Sequence, residues 1–437
     1  MTEVPIPPAE RSDRHALVAQ QARRLAELVR HIHGRNAFYT RKLDAAGIGP
    51  GDIDALDFPA DLAKLPLTTR AELLADQAAN PPWGTVLTED ISRYTRYNQT
   101  SSTTGRPLRW VDTNESWQWL LECWKAVYRG ARVGPADRIL FAFSFGPFLG
   151  FWTAFDAACQ LGAHSIPAGA MSSQQRLALI DAVEPTALCC TPTYALRLAE
   201  VAEQVGRRPL SESSVRVVIV AGEPGGSIPS TRARIETSWG ARVLDHYGLT
   251  EVGPVSFECW EAVGFLHLNE SQFIGEVLDP ATLEAVADGQ PGELVVTNLG
   301  RAASPVIRYR TGDLVVPSFD ACPCGRTMTR FEGGIIARTD DMINIRGVNV
   351  YPSGIESVVR RFPEITEFRS TVSQSAALRT LSLEIELAPS VMDARAVVAR
   401  LTQHLRESMA LTLPIHVVAQ GTLPRFEMKA RRFVVET

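Results

Sequence analysis

The chain has 437 residues, of which 45% are hydrophobic and 21% are charged, a balance typical of a globular protein with more than one domain. Its formal net charge of -5 disfavours a general nucleic-acid binder, because such proteins need a basic face to neutralise phosphates. The N-terminal residues lack the pattern of a secretory signal, and the longest apolar runs are too short to span a bilayer. We therefore expect a cytoplasmic protein with neither nucleic-acid nor membrane partners.

Helical and strand-like patterns alternate through the first half of the chain. Apolar residues recur at helical spacing in residues 14–33 and again in 114–130. Three short apolar runs follow and predict strands at Ile139–Ser144, Ala187–Thr191 and Val215–Ala221. Helical stretches at 173–184 and 193–205 lie between them. This alternation is typical of a largely parallel sheet covered by helices, so we predict an α/β fold.

The chain becomes rich in strands from about Glu276 and changes again near Asp341. Gly-punctuated runs predict a β-rich subdomain with strands at Gly292–Asn298 and Val306–Val316. The C-terminal part predicts strands at Leu381–Leu387 and Ile415–Ala419 and a helix at Ala394–Met409. We therefore predict a large domain of layered sheets over residues 1–340 and a small α+β domain over residues 341–437.

A run of hydroxyl side chains marks a candidate phosphate-binding loop. It comprises Thr100, Ser101, Ser102, Thr103 and Thr104, followed by Gly105 and Arg106. Hydroxyl and backbone N–H groups can donate to phosphate oxygens, glycine permits a tight turn, and arginine supplies charge. The loop lacks the Walker A pattern, which argues against a P-loop kinase. Taken alone, the segment is better explained as a surface turn.

Four further motifs follow this loop in order. They are Ala221-Gly222-Glu223-Pro224, Asp245-His246-Tyr247-Gly248-Leu249-Thr250-Glu251, Tyr309-Arg310-Thr311-Gly312-Asp313-Leu314, and the stretch from Ala337-Arg338-Thr339-Asp340-Asp341 to Ile345-Arg346-Gly347-Val348-Asn349-Val350-Tyr351-Pro352. From about residue 90 to its end, the chain resembles the adenylate-forming superfamily of acyl-CoA synthetases, luciferases and peptide-synthetase adenylation domains. The stretch from Asp340 to Pro352 is most similar to phenylacetate–CoA ligases.

The resemblance implies that the chain uses ATP and Mg²⁺ to activate a carboxylic acid as its acyl-adenylate. The implied nucleotide-binding residues are Ser101, Ser102, Thr103, Thr104, Gly105, Arg106, Gly222, Glu223, Pro224, Tyr247, Gly248, Asp313 and Arg338. Tyr247 would stack on adenine and Asp313 would accept hydrogen bonds from the ribose. Thr250 would contact the α-phosphate, and Glu251 would bind Mg²⁺ as a hard oxygen ligand. Taken singly, each of these residues has a simpler structural explanation; their order favours the functional one.

The resemblance also implies a small C-terminal domain that rotates between two half-reactions. Asp340 matches the hinge position of the family. Lys429 matches the lysine that reaches the carboxylate and the α-phosphate during adenylation, where its charge would stabilise the transition state. The chain departs from the family pattern at four positions: Ser102, Ala337 and Met428 stand where glycine is usual, and Arg106 stands where lysine is usual.

A C-x-C-G turn points to a metal site. It consists of Cys322, Pro323, Cys324 and Gly325. Upstream, Cys259 and His267 are separated by seven residues. Three thiolates and one imidazole would form a closed tetrahedral zinc site with a structural role. The alternative is that Cys259 is an ordinary core residue and His267 a surface residue.

An aromatic segment is the candidate pocket for the acid. Several aromatic residues stand next to glycines between Phe141 and Trp152; they can build a flat slot, which suits an aromatic ring. The predicted pocket residues are Phe143, Phe145, Gly146, Phe148 and His246. Core packing is the alternative explanation, and it holds for some of these side chains.

The sequence does not decide which molecule accepts the acyl group. Coenzyme A is the usual acceptor in the family. A stand-alone aryl acid–AMP ligase that passes the acyl group to a carrier-protein thiol is the first alternative. A nucleotide-binding protein that has lost catalysis is the second. A homodimer is compatible with the sequence, which does not fix the oligomeric state.

Overall fold

The computed structural model describes residues 5–100, 106–339, 341, 343–345, 348–375, 378–409, 411–426 and 430–436. The helices are α1 (Arg14–Ile32), α2 (Ala37–Ala45), α3 (Arg70–Ala79), α4 (Asn114–Gly130), α5 (Leu149–Leu161), α6 (Ser173–Val183), α7 (Pro192–Gln204), α8 (Pro229–Trp239), α9 (Pro352–Val359) and α10 (Ala394–Met409). The strands are β1 (Tyr94–Gln99), β2 (Arg109–Thr113), β3 (Arg138–Phe141), β4 (His164–Pro167), β5 (Ala187–Cys190), β6 (Val217–Val220), β7 (Arg242–Leu249), β8 (Gly253–Cys259), β9 (Ala262–Leu268), β10 (Phe273–Leu278), β11 (Gly292–Asn298), β12 (Tyr309–Ser318), β13 (Arg330–Arg338), β14 (Ile343–Ile345), β15 (Val348–Val350), β16 (Ile365–Ser375), β17 (Leu378–Leu387), β18 (Ile415–Val418) and β19 (Phe433–Glu436).

The centre of the fold is an eleven-stranded sheet with the strand order β10-β11-β12-β13-β9-β8-β7-β6-β5-β3-β4. The pairings between β4 and β7 are parallel. Those from β7 through β8 to β10 are antiparallel. Strand β7 therefore joins the parallel part to the β-rich part in one continuous sheet. The predicted α/β class is confirmed.

Helices cover both faces of the parallel part. Successive residues of β6 alternate between two apolar clusters: Val217 and Ile219 pack with residues of α4 and α5, whereas Val218 and Val220 pack with residues of α6, α7 and α8. Because successive side chains of a strand point to opposite faces, the two clusters lie on opposite sides of the sheet. Burial on both faces explains why the parallel strands are continuously apolar in the sequence.

Polar caps fix where the predicted helices begin. The Asp13 carboxylate accepts a hydrogen bond from the Ala16 N–H and starts α1, and the Thr113 hydroxyl does the same for the Ser116 N–H at the start of α4. Ser172 forms a capping box with Gln175 at the start of α6. Such caps satisfy backbone donors that have no partner inside the helix. The three helices match those predicted over 14–33, 114–130 and 173–184.

The C-terminal part of the chain has a hydrophobic core of its own. Its four-stranded sheet has the order β18-β17-β16-β19. Helices α9 and α10 and the β14–β15 hairpin contribute to a cluster of buried residues that runs from Ile345 to Leu413. This is the α+β arrangement predicted for the last part of the chain.

The N-terminal part contains two helices that the hydrophobic pattern did not predict, α2 and α3. They bury Phe38, Tyr39, Leu43 and Leu73 in the core that covers the antiparallel part of the sheet. Within the described ranges, no helix is both long enough and apolar enough to cross a membrane.

Candidate active site

Five of the predicted nucleotide-binding residues lie where β6 and β7 end. Residues 222–224 follow β6, and Tyr247 and Gly248 lie near the C-terminal end of β7. Because β6 and β7 are parallel neighbours, their carboxyl ends meet at one edge of the sheet, where ligands of open α/β sheets bind. Gly222 adopts a φ of 92°, which only glycine adopts without strain.

Tyr247, Asp313 and Arg338 form one hydrogen-bonded set. The Tyr247 hydroxyl donates to Asp313 Oδ2 at 2.6 Å, and Arg338 Nη1 donates to Asp313 Oδ1 at 3.1 Å. The pairing of β12 with β13 places Asp313 directly opposite Arg338. Burial, together with the Asp313 charge, raises the pKa of Tyr247 well above its ordinary value. The phenol therefore stays protonated and holds the carboxylate at the sheet edge.

Loss of the Asp313 carboxylate is expected to weaken ATP binding. We expect Asp313→Ala to raise the Kd for ATP about 10- to 100-fold, since hydrogen bonds to a charged group contribute about 1.5–3 kcal/mol. Equilibrium dialysis with labelled ATP measures this. The control is Asp288→Ala, which removes an exposed carboxylate from the same part of the chain. Equal ATP affinity of Asp313→Ala and the wild type would contradict the assignment.

Glu251 is a buried carboxylate held by an aromatic hydroxyl. Its side chain is 4% exposed, and Tyr309 donates its hydroxyl to Glu251 Oε1 at 2.6 Å. Arg70 Nη1 lies 3.8 Å from the same oxygen. The neighbouring Thr250 carbonyl accepts a hydrogen bond from Arg301 Nη1 at 2.7 Å. Arg301 in turn forms a fully buried, two-bond pair with Asp112, so the backbone at Thr250 is firmly positioned.

The entry to the candidate phosphate loop is ordered by Thr100. Its hydroxyl accepts hydrogen bonds from the Leu108 N–H at 3.0 Å and from Arg70 Nη2 at 3.1 Å. The Thr100 N–H donates to the Leu108 carbonyl. These bonds bring together the two ends of the segment that contains the hydroxyl run. Arg106 follows the run and is exposed.

The Glu223 carboxylate bridges two parts of the chain. It accepts a hydrogen bond from the Thr193 N–H at 2.8 Å and another from the Ala430 N–H at 2.6 Å. Close by, Arg432 Nη1 donates to the Thr193 hydroxyl at 3.1 Å. The C-terminal core is thus hydrogen-bonded to the loop that follows β6.

The buried carboxylate of Glu258 and the half-buried one of Asp245 support the start of the β7 motif. Glu258 accepts hydrogen bonds from the Asp245 N–H and from Arg232, both at 2.6 Å. Burial raises the pKa of Glu258 to about 7. Asp245 accepts a hydrogen bond from the Ser227 hydroxyl at 2.6 Å. This network ties the loop after β6 to β7 and so fixes the spacing between the two motifs.

Four of the five predicted pocket residues lie in one aromatic cluster. Phe143 stacks on Phe151 with ring centroids 4.1 Å apart, and it also contacts Phe145. Phe148 meets Phe151 edge-on, and a Cβ at Gly146 would lie only 2.8 Å from the Phe148 ring. The segment adjoins the loop entry, because the Gln99 N–H donates to the Pro147 carbonyl at 2.8 Å.

The fifth pocket residue, His246, packs against a different ring. Its imidazole lies 4.3 Å from the Trp124 ring between centroids, and its Nδ1 is 3.3 Å from the Ser256 carbonyl. Burial lowers the pKa of His246 to about 4. The side chain is therefore neutral at neutral pH.

The lowered pKa of His246 predicts a loss of stability in acid. Because the unfolded chain takes up this proton near pH 6.5 and the folded chain only near pH 4, the contribution is present above pH 6.5 and is lost as the pH falls through 4. Between pH 7 and pH 4, we expect the free energy of unfolding to fall by about 3 kcal/mol more in the wild type than in His246→Gln. Denaturant titrations at several pH values measure the difference. Parallel pH curves for the two proteins would contradict this prediction.

The predicted zinc ligands come together in a buried cluster. The Sγ atoms of Cys259 and Cys322 are 3.6 Å apart, and Cys324 Sγ is 3.7 Å from His267 Nε2. All four ligand atoms lie within 4.8 Å of one another. The spacing is too long for a disulfide, and it matches the distance of about 3.7 Å between ligands of a tetrahedral zinc ion.

Seven predicted site residues lie outside the described part of the chain: Ser101, Ser102, Thr103, Thr104, Gly105, Asp340 and Lys429. Their assignments stay predictions. Two groups near the site, Tyr309 and Arg70, were not predicted as site residues. Tyr309 begins one of the motifs, and its place in that motif was a usable signal. Arg70 lies far away in sequence and carried no local signal.

Comparisons with known proteins agree with this arrangement. The AMP-binding enzyme family matches residues 72–302, and the C-terminal domain of AMP-binding enzymes matches residues 347–436. The chain belongs to the AMP-binding enzyme family. It is an acid–CoA ligase, which converts a carboxylic acid to its adenylate and then to its coenzyme A thioester.

Relatives of known activity match over nearly the whole chain. Phenylacetate–coenzyme A ligase of Thermus thermophilus is 32% identical over 98% of this chain and 98% of the relative. The enzyme of the same name from Escherichia coli is 33% identical over 99% and 98%. The crystal structure of 2-hydroxyisobutyryl-CoA ligase in the postadenylation state superposes with a TM-score of 0.92, with 28% identity over 100% of this chain and 95% of that one. The predicted resemblance is confirmed.

Proposed function

We propose that this enzyme adenylates an aromatic carboxylic acid with MgATP and transfers the aryl-acyl group to coenzyme A. The choice of an aromatic acid rests on the aromatic cluster around Phe143 and on its connection to the loop entry. That connection is the hydrogen bond from the Gln99 N–H to the Pro147 carbonyl. It joins the aromatic cluster to the entry of the candidate phosphate loop, so a ring in the cluster would hold its carboxylate near the phosphates. The identity to phenylacetate–coenzyme A ligases supports the same class of acid.

The chemistry of adenylation explains the charges around the site. The carboxylate oxygen attacks the α-phosphorus, the bond from that phosphorus to the bridging oxygen breaks, and pyrophosphate leaves with its electron pair. Because two anions must approach each other, cations and hydrogen-bond donors have to offset their repulsion. We propose that Thr250 contacts the α-phosphate and that Lys429 supplies the positive charge beside the reacting carboxylate.

The nucleotide base and sugar are assigned to the set at the sheet edge. Tyr247, with residues 222–224 and Gly248, would hold the adenine, and Asp313 the ribose, supported by Arg338. Glu251 is the proposed Mg²⁺ ligand, because it is a buried carboxylate beside the α-phosphate residue and oxygen is the ligand that Mg²⁺ prefers. When bound, the ion neutralises phosphate charge.

We further propose that residues 341–437 form a domain that rotates about Asp340 relative to residues 1–340. The hydrogen bonds from Ala430 to Glu223 and from Arg432 to Thr193 belong to one orientation. The TM-score supports an adenylation-type arrangement: it is 0.92 for 2-hydroxyisobutyryl-CoA ligase in its postadenylation state and 0.74 for the same ligase in its thioesterification state. These two bonds would break when coenzyme A reacts.

We also propose a structural Zn²⁺ ion held by Cys259, His267, Cys322 and Cys324. Four protein ligands leave no open position, so the ion would not take part in the reaction. It would join the β8–β9 hairpin to the loop between β12 and β13. Three thiolates around Zn²⁺ leave one negative charge, and Arg11, which donates to the Cys324 carbonyl, lies where it offsets that charge.

A panel of acids tests the proposed substrate class. ATP–pyrophosphate exchange is measured with phenylacetate, benzoate, hydroxybenzoates, aminobenzoates and 2-hydroxyisobutyrate, and the thioester formed with coenzyme A is identified by mass spectrometry. We expect exchange with a subset of the aromatic acids. Exchange with 2-hydroxyisobutyrate alone would overturn the aromatic assignment. A protein that binds ATP but exchanges with no acid would be a lapsed nucleotide-binding protein.

A further inference from the structure

Arg70 is held at the nucleotide site by a segment far from the known motifs. The Thr68 N–H donates to the Arg308 carbonyl at 2.9 Å, and the Arg310 N–H donates to the Thr68 carbonyl at 2.8 Å. Thr69 then caps α3 through a capping box with Glu72. These bonds attach the start of α3 to β12 beside Tyr309, the residue that holds Glu251. The position of Arg70 is therefore fixed relative to the proposed Mg²⁺ ligand.

The Arg70 guanidinium spans the gap between the loop entry and Glu251. Its Nη2 donates to the Thr100 hydroxyl at 3.1 Å, and its Nη1 lies 3.8 Å from Glu251 Oε1. The second distance is too long for a hydrogen bond. The side chain is 37% exposed, so it is not sealed in the core.

Nearby arginines show what a closed structural pair looks like in this protein. Arg301 makes two hydrogen bonds of 2.6 Å with Asp112, and both side chains are fully buried. Arg308 makes bonds of 2.9 and 2.8 Å with Glu276. As far as the described residues go, Arg70 makes no such two-bond pair with a carboxylate. It keeps N–H donors for a ligand.

We propose that Arg70 binds the β- and γ-phosphates of ATP and stabilises pyrophosphate as it leaves. The proposal rests on the assignment of ATP to this site: the α-phosphate would lie at Thr250 and the remaining phosphates between Glu251 and Thr100. Arg70 stands between these two residues. A guanidinium fits phosphate oxygens with two parallel hydrogen bonds. The same contact serves pyrophosphate in the reverse reaction.

Binding of ATP and AMP to the wild type and Arg70→Met tests the proposal without any acid substrate. AMP lacks the β- and γ-phosphates, so a contact to them affects ATP alone. We expect Arg70→Met to raise the Kd for MgATP about 30-fold and to leave the Kd for AMP unchanged, as measured by equilibrium dialysis. Arg70→Lys keeps the charge and should recover part of the affinity. The matched control is Arg41→Met, which removes an exposed arginine of α2 that pairs with Asp76 of α3, the helix that begins at Arg70.

A second readout separates a phosphate contact from a structural role. Synthetic acyl-adenylate and coenzyme A form the thioester without pyrophosphate, so Arg70→Met should leave this rate and the thermal midpoint unchanged. Equal loss of ATP and AMP affinity, or a lower midpoint with loss of both half-reactions, would overturn the proposal. So would an unchanged Kd for MgATP. If the ATP effect is found but the wild type exchanges with no acid, only the proposed function fails.

Discussion

Lys429→Ala is expected to lower acid-dependent ATP–pyrophosphate exchange about 10²- to 10³-fold, the usual cost of removing one group that stabilises charge in a transition state. The lysine lies outside the described residues, and its assignment rests on the motif near the C-terminus. The described residue that follows it, Ala430, donates its N–H to Glu223 at 2.6 Å. ATP binding should survive, because the charge acts on the reacting atoms.

The second half-reaction provides the internal control for this variant. Thioester formation from synthetic acyl-adenylate should proceed at the wild-type rate. This step breaks the acyl–phosphate bond of the adenylate and makes no new bond to the α-phosphorus. Arg431→Ala removes an exposed cation from the same segment and should leave both half-reactions intact. If Lys429→Ala retained full exchange activity, or if both half-reactions fell equally, the proposed role would be wrong.

Replacement of one zinc ligand is expected to have the largest effect on stability. Cys324→Ser should abolish stoichiometric zinc and lower the free energy of unfolding by about 4 kcal/mol, in the range that loss of a bound metal produces. The physical reason is that the β8–β9 hairpin and the β12–β13 loop would lose their link, leaving buried thiols and an imidazole without a partner. Elemental analysis of the purified protein measures the metal.

Tryptophan fluorescence reports on the unfolding of residues 1–340, which contain the cluster, because all eight tryptophans precede residue 341. Denaturant unfolding followed at this signal gives the change in free energy. Cys159→Ser is the matched control, since Cys159 is exposed and lies outside the cluster. Wild-type protein that contains no zinc after expression in zinc-supplemented medium, and that unfolds like Cys324→Ser, would refute the proposed site.

The sequence predicted strands β3, β5 and β6 and helices α6 and α7 of the parallel part, for a physical reason. Strands such as Val217–Val220 are buried on both faces, so they are apolar throughout and stand out between helices that begin at polar caps. Helices α2, α3, α5 and α8 and strand β4 were not predicted. Helix α2 is short and buries only three side chains, and its contacts are with residues distant in sequence. Local periodicity is weak in such a helix.

The site was predictable as a set of residue types but not as a set of contacts. The motifs pointed to Tyr247 and Asp313 separately, and only the fold shows that one donates to the other. Arg70 was not predicted because it lies far from Glu251 in the sequence. The two residues come together only because Thr68 pairs with Tyr309 of β12. The bridge from Glu223 to Ala430 depends on how two separate cores meet, which no single motif encodes.

The most direct test of the account follows the oxygen atoms of the acid. The enzyme is incubated with ATP, coenzyme A and the preferred acid labelled with oxygen-18 in its carboxylate, and the products are analysed by mass spectrometry. Attack on the α-phosphate predicts AMP that carries one labelled oxygen, together with unlabelled pyrophosphate. Label in inorganic phosphate, with ADP as the other product, would mean that the acid is activated as an acyl phosphate and would contradict adenylation.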